Sequence, residues 1–173
     1  MELLPTKHLE RGGIVHRLDK NTEGLMVVAK TEETQTKLYE MFKTREVHRE
    51  YIGLVDGKLS KDGTVNKNII RHPKHRTIYT THPTEGRDAV TYYSVIKHIG
   101  NRTLCRFILE TGRTHQIRVH MKSIGHPLVG DPEYNKKAKK SGQGQELAST
   151  RLNFTHPITG KKIDIIQIPS KFS

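Results

Sequence analysis

The amino-acid sequence predicts an α+β fold with a largely antiparallel sheet. Short β-rich runs account for most of the structured-looking stretches, only two segments carry helix signals, and no repeat or linker divides the 173 residues. That length is enough to bury one core without disulfide or metal staples, so residues 1–173 are read as a single domain.

The chain opens on a polar lead-in, residues 1–13, that ends in Gly12-Gly13. Ile14-Val15 and Leu25 to Ala29 then read as short buried strands, with the polar loop His16 to Gly24 clamped between them. Thr31 followed by Glu32 and Glu33 has the pattern of an N-cap with an acidic first turn, and Leu38, Met41 and Phe42 supply the apolar face of a helix over 31–44. Val47 to Val55 favours a strand with Tyr51 at its middle. Gly57 to Pro83 is poor in bulky apolar residues and rich in Lys and Arg, as loops and short strands facing solvent or ligand would be. Arg87 to His98 and Arg102 to Glu110 form a hairpin around Ile99-Gly100-Asn101.

Thr111-Gly112-Arg113 interrupts the chain after the second hairpin strand. Thr114 is expected to cap a helix bearing Ile117, Met121 and Ile124 on one side, with Gly125 ending it. The segment from Asn135 to Gly144 holds Lys136, Lys137, Lys139 and Lys140 between glycine-bearing stretches and is expected to be a mobile phosphate-contacting loop. Arg151 to Phe154 and Lys162 to Ile168 read as two closing strands on either side of the turn His156-Pro157-Ile158-Thr159-Gly160.

Thirty Lys and Arg against eighteen Asp and Glu give a net charge of +12, which makes a polyanion the expected partner: RNA, DNA or an anionic membrane. The apolar runs fall far short of the roughly 20 residues of a membrane span, and no signal-peptide h-region follows Met1. A single cysteine, Cys105, excludes an internal disulfide and a cysteine-rich zinc site, in keeping with a cytoplasmic protein. The eleven histidines show no metal-ligand spacing; His115 and His120, five apart, sit about 140° apart on a helix and do not share a face. No metal and no cofactor is expected.

Two segments combine reactive groups with turn residues beyond what packing requires: His16-Arg17-Leu18-Asp19, and Thr111-Gly112-Arg113-Thr114-His115-Gln116-Ile117-Arg118. A carboxylate that faces an arginine stays ionised and oriented, for attack or for stabilising a cation. On spacing alone, the simpler reading makes Asp19 a turn or cap residue and Arg113 a surface cation.

The strings HRLDKNTEGLMVVAK (16–30), REYIGLVDG (49–57), TGRTHQIRVHMKSIGHPLVGDPEY (111–134) and LNFTHPITG (152–160) occur together and in order. In this arrangement the chain resembles the RluA-like pseudouridine synthases, the first and third strings being highly specific and the other two supportive. The resemblance implies an RNA pseudouridine synthase, cofactor-independent, acting on ribosomal large-subunit RNA or transfer RNA as a monomer. It makes Asp19 the catalytic carboxylate, Tyr51 the residue that stacks on the target base, and Arg113 the partner of Asp19. Arg17 would enter the RNA stack in place of a flipped uridine, and His16, Lys20, Thr114, His115, Gln116 and Arg118 would contact RNA. Whether the carboxylate adds to the sugar, adds to the base or abstracts a ribose proton stays open.

The chain departs from the family pattern in three places. Only 15 residues precede His16, so the asparagine-lysine-proline-x-glycine segment and the small N-terminal RNA-binding domain of many members have no counterpart, and the catalytic domain reads as N-terminally short. Glu23 stands where the family has serine, adding negative charge near the RNA path. Ser149 closes the segment Leu147-Ala148-Ser149, where a leucine-histidine-alanine is usual. The competing readings are a catalytically silent RNA-binding protein on the same fold, and a DNA-binding protein or metal-dependent nuclease, which the charge permits and the spacings do not.

Overall fold

The structure is a computed structural model that describes residue 6, residues 8–138, residue 142 and residues 144–173. The lysines expected to act at 139 and 140, Lys139 and Lys140, lie outside the described residues. Lys136 and Lys137 open a short 3-10 turn, Lys136–Ala138.

Helix α1 runs Glu32–Lys43. Thr31 caps it through its hydroxyl oxygen, which accepts the Thr34 N–H at 3.3 Å, and Leu38 and Met41 on one face are buried. This matches the helix read from the capping pattern. The described residues form nine strands: β1 Glu23–Gly24, β2 His48–Asp56, β3 Gly63–Asn66, β4 Asn68–Arg71, β5 Tyr79–His82, β6 Val90–Ile99, β7 Arg102–Leu109, β8 Leu147–Thr155 and β9 Lys162–Ile166. Helix α2, Gln116–Ser123, lies between β7 and β8 in the sequence.

Seven strands form one sheet in the order β1-β8-β2-β7-β6-β3, with β9 also on β8. Because β2 takes one edge of β8, the short β1 (opposite Ala148 and Ser149) and β9 (opposite Arg151 to Thr155) share its other edge end to end. Among the described residues only β1 and β8 pair in parallel; the other pairs are antiparallel, as expected. The β6–β7 hairpin turns at Gly100, whose φ of +59° suits glycine. Strands β4 and β5 form a separate two-stranded hairpin.

Strand periodicity divides the core between the two faces of the sheet. Tyr51, Val55, Cys105 and Phe107 pack with Ile117 and Met121 of α2. Ile52, Leu104 and Ala148 face the other way, against Phe172 near the C-terminus. A bulge in β8 opposite Glu50 and Tyr51 inserts Thr150 and shifts the phase of that strand by one residue. Leu147 therefore joins the α2 cluster, while Leu152 and Phe154, now in the other phase, still meet Leu38 and Met41 of α1. Both helices thus cover the same face, leaving a gap between them over β2.

Three local expectations fail. Ile14-Val15 does not form a strand, and neither does Leu25 to Ala29, whose contact with Ile14 is a single bridge, Ile14 to Val28. The N–H groups of this second segment go to scattered acceptors: Leu25 to the Ser149 carbonyl, Val27 to the His16 ring and Ala29 to the Gly13 carbonyl. Thr114 does not cap α2 either. His115 occupies the cap position in the left-handed region (φ 57°) without a side-chain cap bond. The Gln116 amide oxygen instead accepts the Arg113 N–H at 3.0 Å, which ties the loop ahead of the helix to its first residue. Gly125, at φ +85°, follows the helix end as expected.

Candidate active site

The gap between the helices is a cavity of about 420 Å³. Its walls come from the loop containing His16 and Asp19, the end of α1, the start of β2 and the Thr111–Arg118 segment, so the two motif segments singled out in the sequence meet across it. Asp19, Tyr51, Arg113, Arg17, His16, Thr114, His115, Gln116 and Arg118 all border it. Lys20 is exposed and is not among the residues lining the cavity.

The Asp19 loop is held from three directions. The Thr22 N–H closes a turn on the Asp19 carbonyl at 2.9 Å, and Asn21 adopts the left-handed conformation, φ 68°. Gln145, buried in front of β8, donates through Nε2 to the Lys20 carbonyl at 2.6 Å and the Thr22 hydroxyl at 2.8 Å. Gly24 then docks against β8 so closely that a Cβ there would sit 2.1 Å from the Ser149 carbonyl oxygen.

The arginine that reaches Asp19 is Arg118. Its Nη1 lies 3.6 Å from Asp19 Oδ2, while Arg113 turns to Asp88, with Nη2 to Oδ1 at 3.0 Å and Nε donating to the Asp88 carbonyl at 2.9 Å. The expected Asp19–Arg113 pair is thereby corrected. The physical reason is placement: Arg113 sits on the loop before α2, beside the lead-in to β6. Arg118 projects from α2 and is almost fully buried.

Arg118 is itself gripped by two other carboxylates. Its Nε and Nη2 form a fork on Asp131 at 2.8 and 2.9 Å, and Nη2 also meets Glu133 at 2.6 Å. Asp131 is fully buried and accepts the Glu133 and Tyr134 N–H groups, both at 3.0 Å. The Tyr134 ring stacks under the guanidinium at 4.9 Å. Burial works against the Arg118 charge, but the bonds and charge of Asp131, then Asp19 and Glu133, more than reverse it. Of the three carboxylates around Arg118, Asp19 is thus the one held at the longest distance.

Tyr51 on β2 lies opposite Ser149 on β8 and is buried against the α2 cluster. Burial raises its phenol above the ordinary range, with the nearby Arg49 charge pulling the other way, so it stays a neutral phenol. His115 meets the Tyr134 hydroxyl through Nδ1 at 2.8 Å, and that hydroxyl accepts the Tyr79 N–H at 2.9 Å, which ties β5 to the cavity. The Gln116 amide is committed within the fold: Oε1 accepts from the Thr111 hydroxyl and Arg113 N–H, and Nε2 donates to the Val90 carbonyl and Thr91 hydroxyl. His16 accepts the Val27 N–H at Nε2 (2.9 Å) and stacks on Phe42 at 4.6 Å. Arg17 and Thr114 are exposed at the rim. Glu23 pairs with Lys171 at 2.5 Å, a lysine also 3.2 Å from Glu146, so its charge is balanced locally rather than presented to a substrate.

Asp131, Glu133 and Gln145 were not singled out from the sequence. The acidic pair around Pro132, closing a motif in a strongly basic chain, was the available signal; Gln145 left none.

Removing the guanidinium would leave buried Asp131 without its counter-ion, so Arg118→Met is expected to lower stability by about 3–5 kcal/mol. Arg113→Met, losing a pair to an exposed aspartate, should cost about 1 kcal/mol or less. Urea unfolding of the two variants checks both. A second expectation concerns acid. Burial first, then the Arg49 charge, lower the His16 pKa to about 4, against 6.5 for an ordinary histidine. Between these values the unfolded chain takes up a proton that folded His16 refuses. Its contribution is therefore whole above pH 6.5 and is lost as pH falls towards 4, by about 3 kcal/mol. His115 and His120 shift in the same direction. His16→Gln keeps an acceptor for Val27, and urea unfolding as a function of pH should show it flattening part of this acid slope.

Residues 1–123 match the family described as RNA pseudouridylate synthase. Ribosomal large subunit pseudouridine synthase D of Escherichia coli is 45% identical over 173 residues, which cover 92% of this chain and 53% of the relative; the Haemophilus influenzae and Vibrio cholerae proteins of the same name are each 43% identical. The chain spans about half the length of these curated relatives. Among solved structures, Human RNA Pseudouridylate Synthase Domain Containing 1 superimposes with a TM-score of 0.79 at 25% identity, over 90% of this chain and 68% of that one. Human RNA Pseudouridylate Synthase Domain Containing 4 shares the fold, with a TM-score of 0.76 at 23% identity over 92% and 72% of the two chains. With a family match across most of its length, and Asp19, Tyr51 and Arg118 gathered on one cavity, the chain belongs to the RNA pseudouridylate synthase family.

Proposed function

We propose that the protein isomerises uridine to pseudouridine in structured RNA, with Asp19 as the catalytic carboxylate. The observation that carries this is the Asp19 carboxylate, which among the described residues pairs at 3.6 Å with a buried Arg118 while that arginine's shorter bonds go to Asp131 and Glu133. An oriented carboxylate with uncommitted oxygens suits the chemistry. The bond from C1′ to N1 of uracil breaks, the base turns, C1′ bonds to C5, and the hydrogen leaving C5 is balanced by one gained at N1. Attack on the sugar, attack on the base and removal of a ribose proton all draw on the same group.

The remaining roles follow the cavity. Tyr51, a neutral phenol on its floor, offers a face for the uracil. Extruding a base from a folded RNA costs a few kcal/mol, which contacts in the pocket and charge at the rim offset. Arg17, exposed beside Asp19, is suited to fill the vacated stack; Arg113 and Thr114 line the opposite rim, and His115 extends the network behind Arg118. His16 and Gln116 brace the walls of the site, and Lys20 sits outside the cavity, where it meets the RNA only at a distance from the base. The excess of Lys and Arg supplies the phosphate contacts. By analogy with the relatives' names the substrate is ribosomal large-subunit RNA, with transfer RNA as the second choice, in the cytoplasm and with the protein acting as a monomer. Among the described residues no helix is long and apolar enough to cross a membrane.

Pseudouridine mapping at nucleotide resolution, in cells with and without the gene, should reveal a site that vanishes with the gene. On that RNA, Asp19→Asn should slow single-turnover isomerisation about a thousandfold or more while RNA affinity and fold persist, since the amide keeps the shape and loses the charge. Undiminished turnover by this variant would sink the assignment.

A further inference from the structure

The cationic groups around the cavity are unequally satisfied. Arg118 is bonded to Asp131 and Glu133, Arg113 to Asp88, Arg45 to Asp88 and Glu110, and Lys43 to Glu40. Arg49 is different. It projects from β2 into the cavity wall, its Nε is buried without a hydrogen bond, and no carboxylate among the described residues lies within ion-pair distance. Among the described residues its guanidinium stands over the Phe42 ring, with the guanidinium carbon 5.6 Å from the ring centroid. Burial lowers its pKa from the ordinary arginine value, as expected for a cation taken from water without a counter-ion.

Leaving a guanidinium in that state is costly unless an anion arrives. The local sequence also makes room for it. Gly112 is not among the residues with positive φ, and a Cβ there would lie 2.7 Å from Arg49 Nη1, so a side chain at this position would have to displace the guanidinium tip from its corner. Arg49 and Tyr51 are two residues apart on one strand, which puts both side chains on the same face roughly 7 Å apart. A base lying on Tyr51 would hold its own phosphate within that span. The base is neutral and already has its stacking partner; the group it carries that answers an unpaired cation is the phosphate.

We propose that Arg49 is the binding site for the phosphate of the target nucleotide, received in the corner made by Phe42, Gly112 and Tyr51. The proposal rests on the reading of the cavity as a uridine site but does not require that isomerisation occur there. The guanidinium fork takes two phosphate oxygens, fixing the flipped nucleotide at its backbone end while Tyr51 holds the base end. Lysine would supply the charge without the fork.

The test is equilibrium binding of uridine 5′-monophosphate and of uridine to the full chain, followed by calorimetry or by NMR titration, with no turnover needed. The unaltered protein should bind the nucleotide about tenfold more tightly than the nucleoside. Arg49→Gln should level the two affinities, and Arg49→Lys should restore part of the difference. Gly112→Ala, which crowds Nη1 while keeping the charge, should weaken the nucleotide selectively. Inorganic phosphate should compete with the nucleotide more strongly than with the nucleoside, a measurement on the unaltered protein that stands even where Arg49→Gln does not fold. A preference for the nucleotide in a protein that isomerises no RNA would support the phosphate site while the catalytic reading fell. Equal or absent binding of both ligands by the unaltered protein, or a preference that survives Arg49→Gln in a folded variant, would overturn the proposal.

Discussion

One buried guanidinium joins the Asp19 carboxylate to the fold. Arg118 emerges from α2 with its fork set on Asp131, whose oxygens are fixed in turn by two backbone N–H groups, and with Tyr134 stacked beneath it. Removing such a charge from water is unfavourable unless its partners are complete, so the arrangement of Asp131, Glu133 and Tyr134 is constrained by the need to satisfy Arg118. The consequence at the cavity is a cation held by three hydrogen bonds to two carboxylates. Asp19 meets it at 3.6 Å, near enough to be oriented and far enough to keep its oxygens available.

The sheet makes this encounter geometrically available. The bulge at Thr150 changes the phase of β8 halfway along, so that one strand serves both helices on one face. Without that extra residue, either Leu147 or the pair Leu152 and Phe154 would turn to the far side, because a one-residue slip inverts every side chain. The same stretch of β8 receives β1 and, through the Ser149 carbonyl, the N–H of Leu25. The element that sets the helices apart thus also anchors the loop bearing Asp19, and the width of the cavity and the position of its carboxylate have a common origin.

Much of this was legible in the sequence where local chemistry decides the outcome. Thr31 with Glu32 and Glu33 marks the start of α1 because capping involves neighbours in the chain, and the Gly100 turn marks the β6–β7 hairpin for the same reason. Asp19 and Tyr51 were identifiable from their motifs and share the cavity. The identity of the Asp19 partner was not, because Arg113 and Arg118 lie five residues apart in one motif and differ only in what surrounds them: an exposed Asp88 for one, a buried Asp131 for the other. Leu25 to Ala29 looked like a strand because its apolar residues suit one, yet its N–H groups find partners in a ring nitrogen and two unrelated carbonyls. Gln145 was invisible, since its role depends on a loop more than a hundred residues away in the chain.

The most direct test of Arg118 as the anchored centre is a double-mutant cycle on stability, with urea unfolding of Arg118→Met, Asp131→Asn and the double variant. If the two side chains form one buried unit, the double variant loses less than the sum of the single losses, with a coupling of about 2 kcal/mol. Single effects that add to within about 0.5 kcal/mol would show that Arg118 does not depend on Asp131, and would contradict the account of how Asp19 is held.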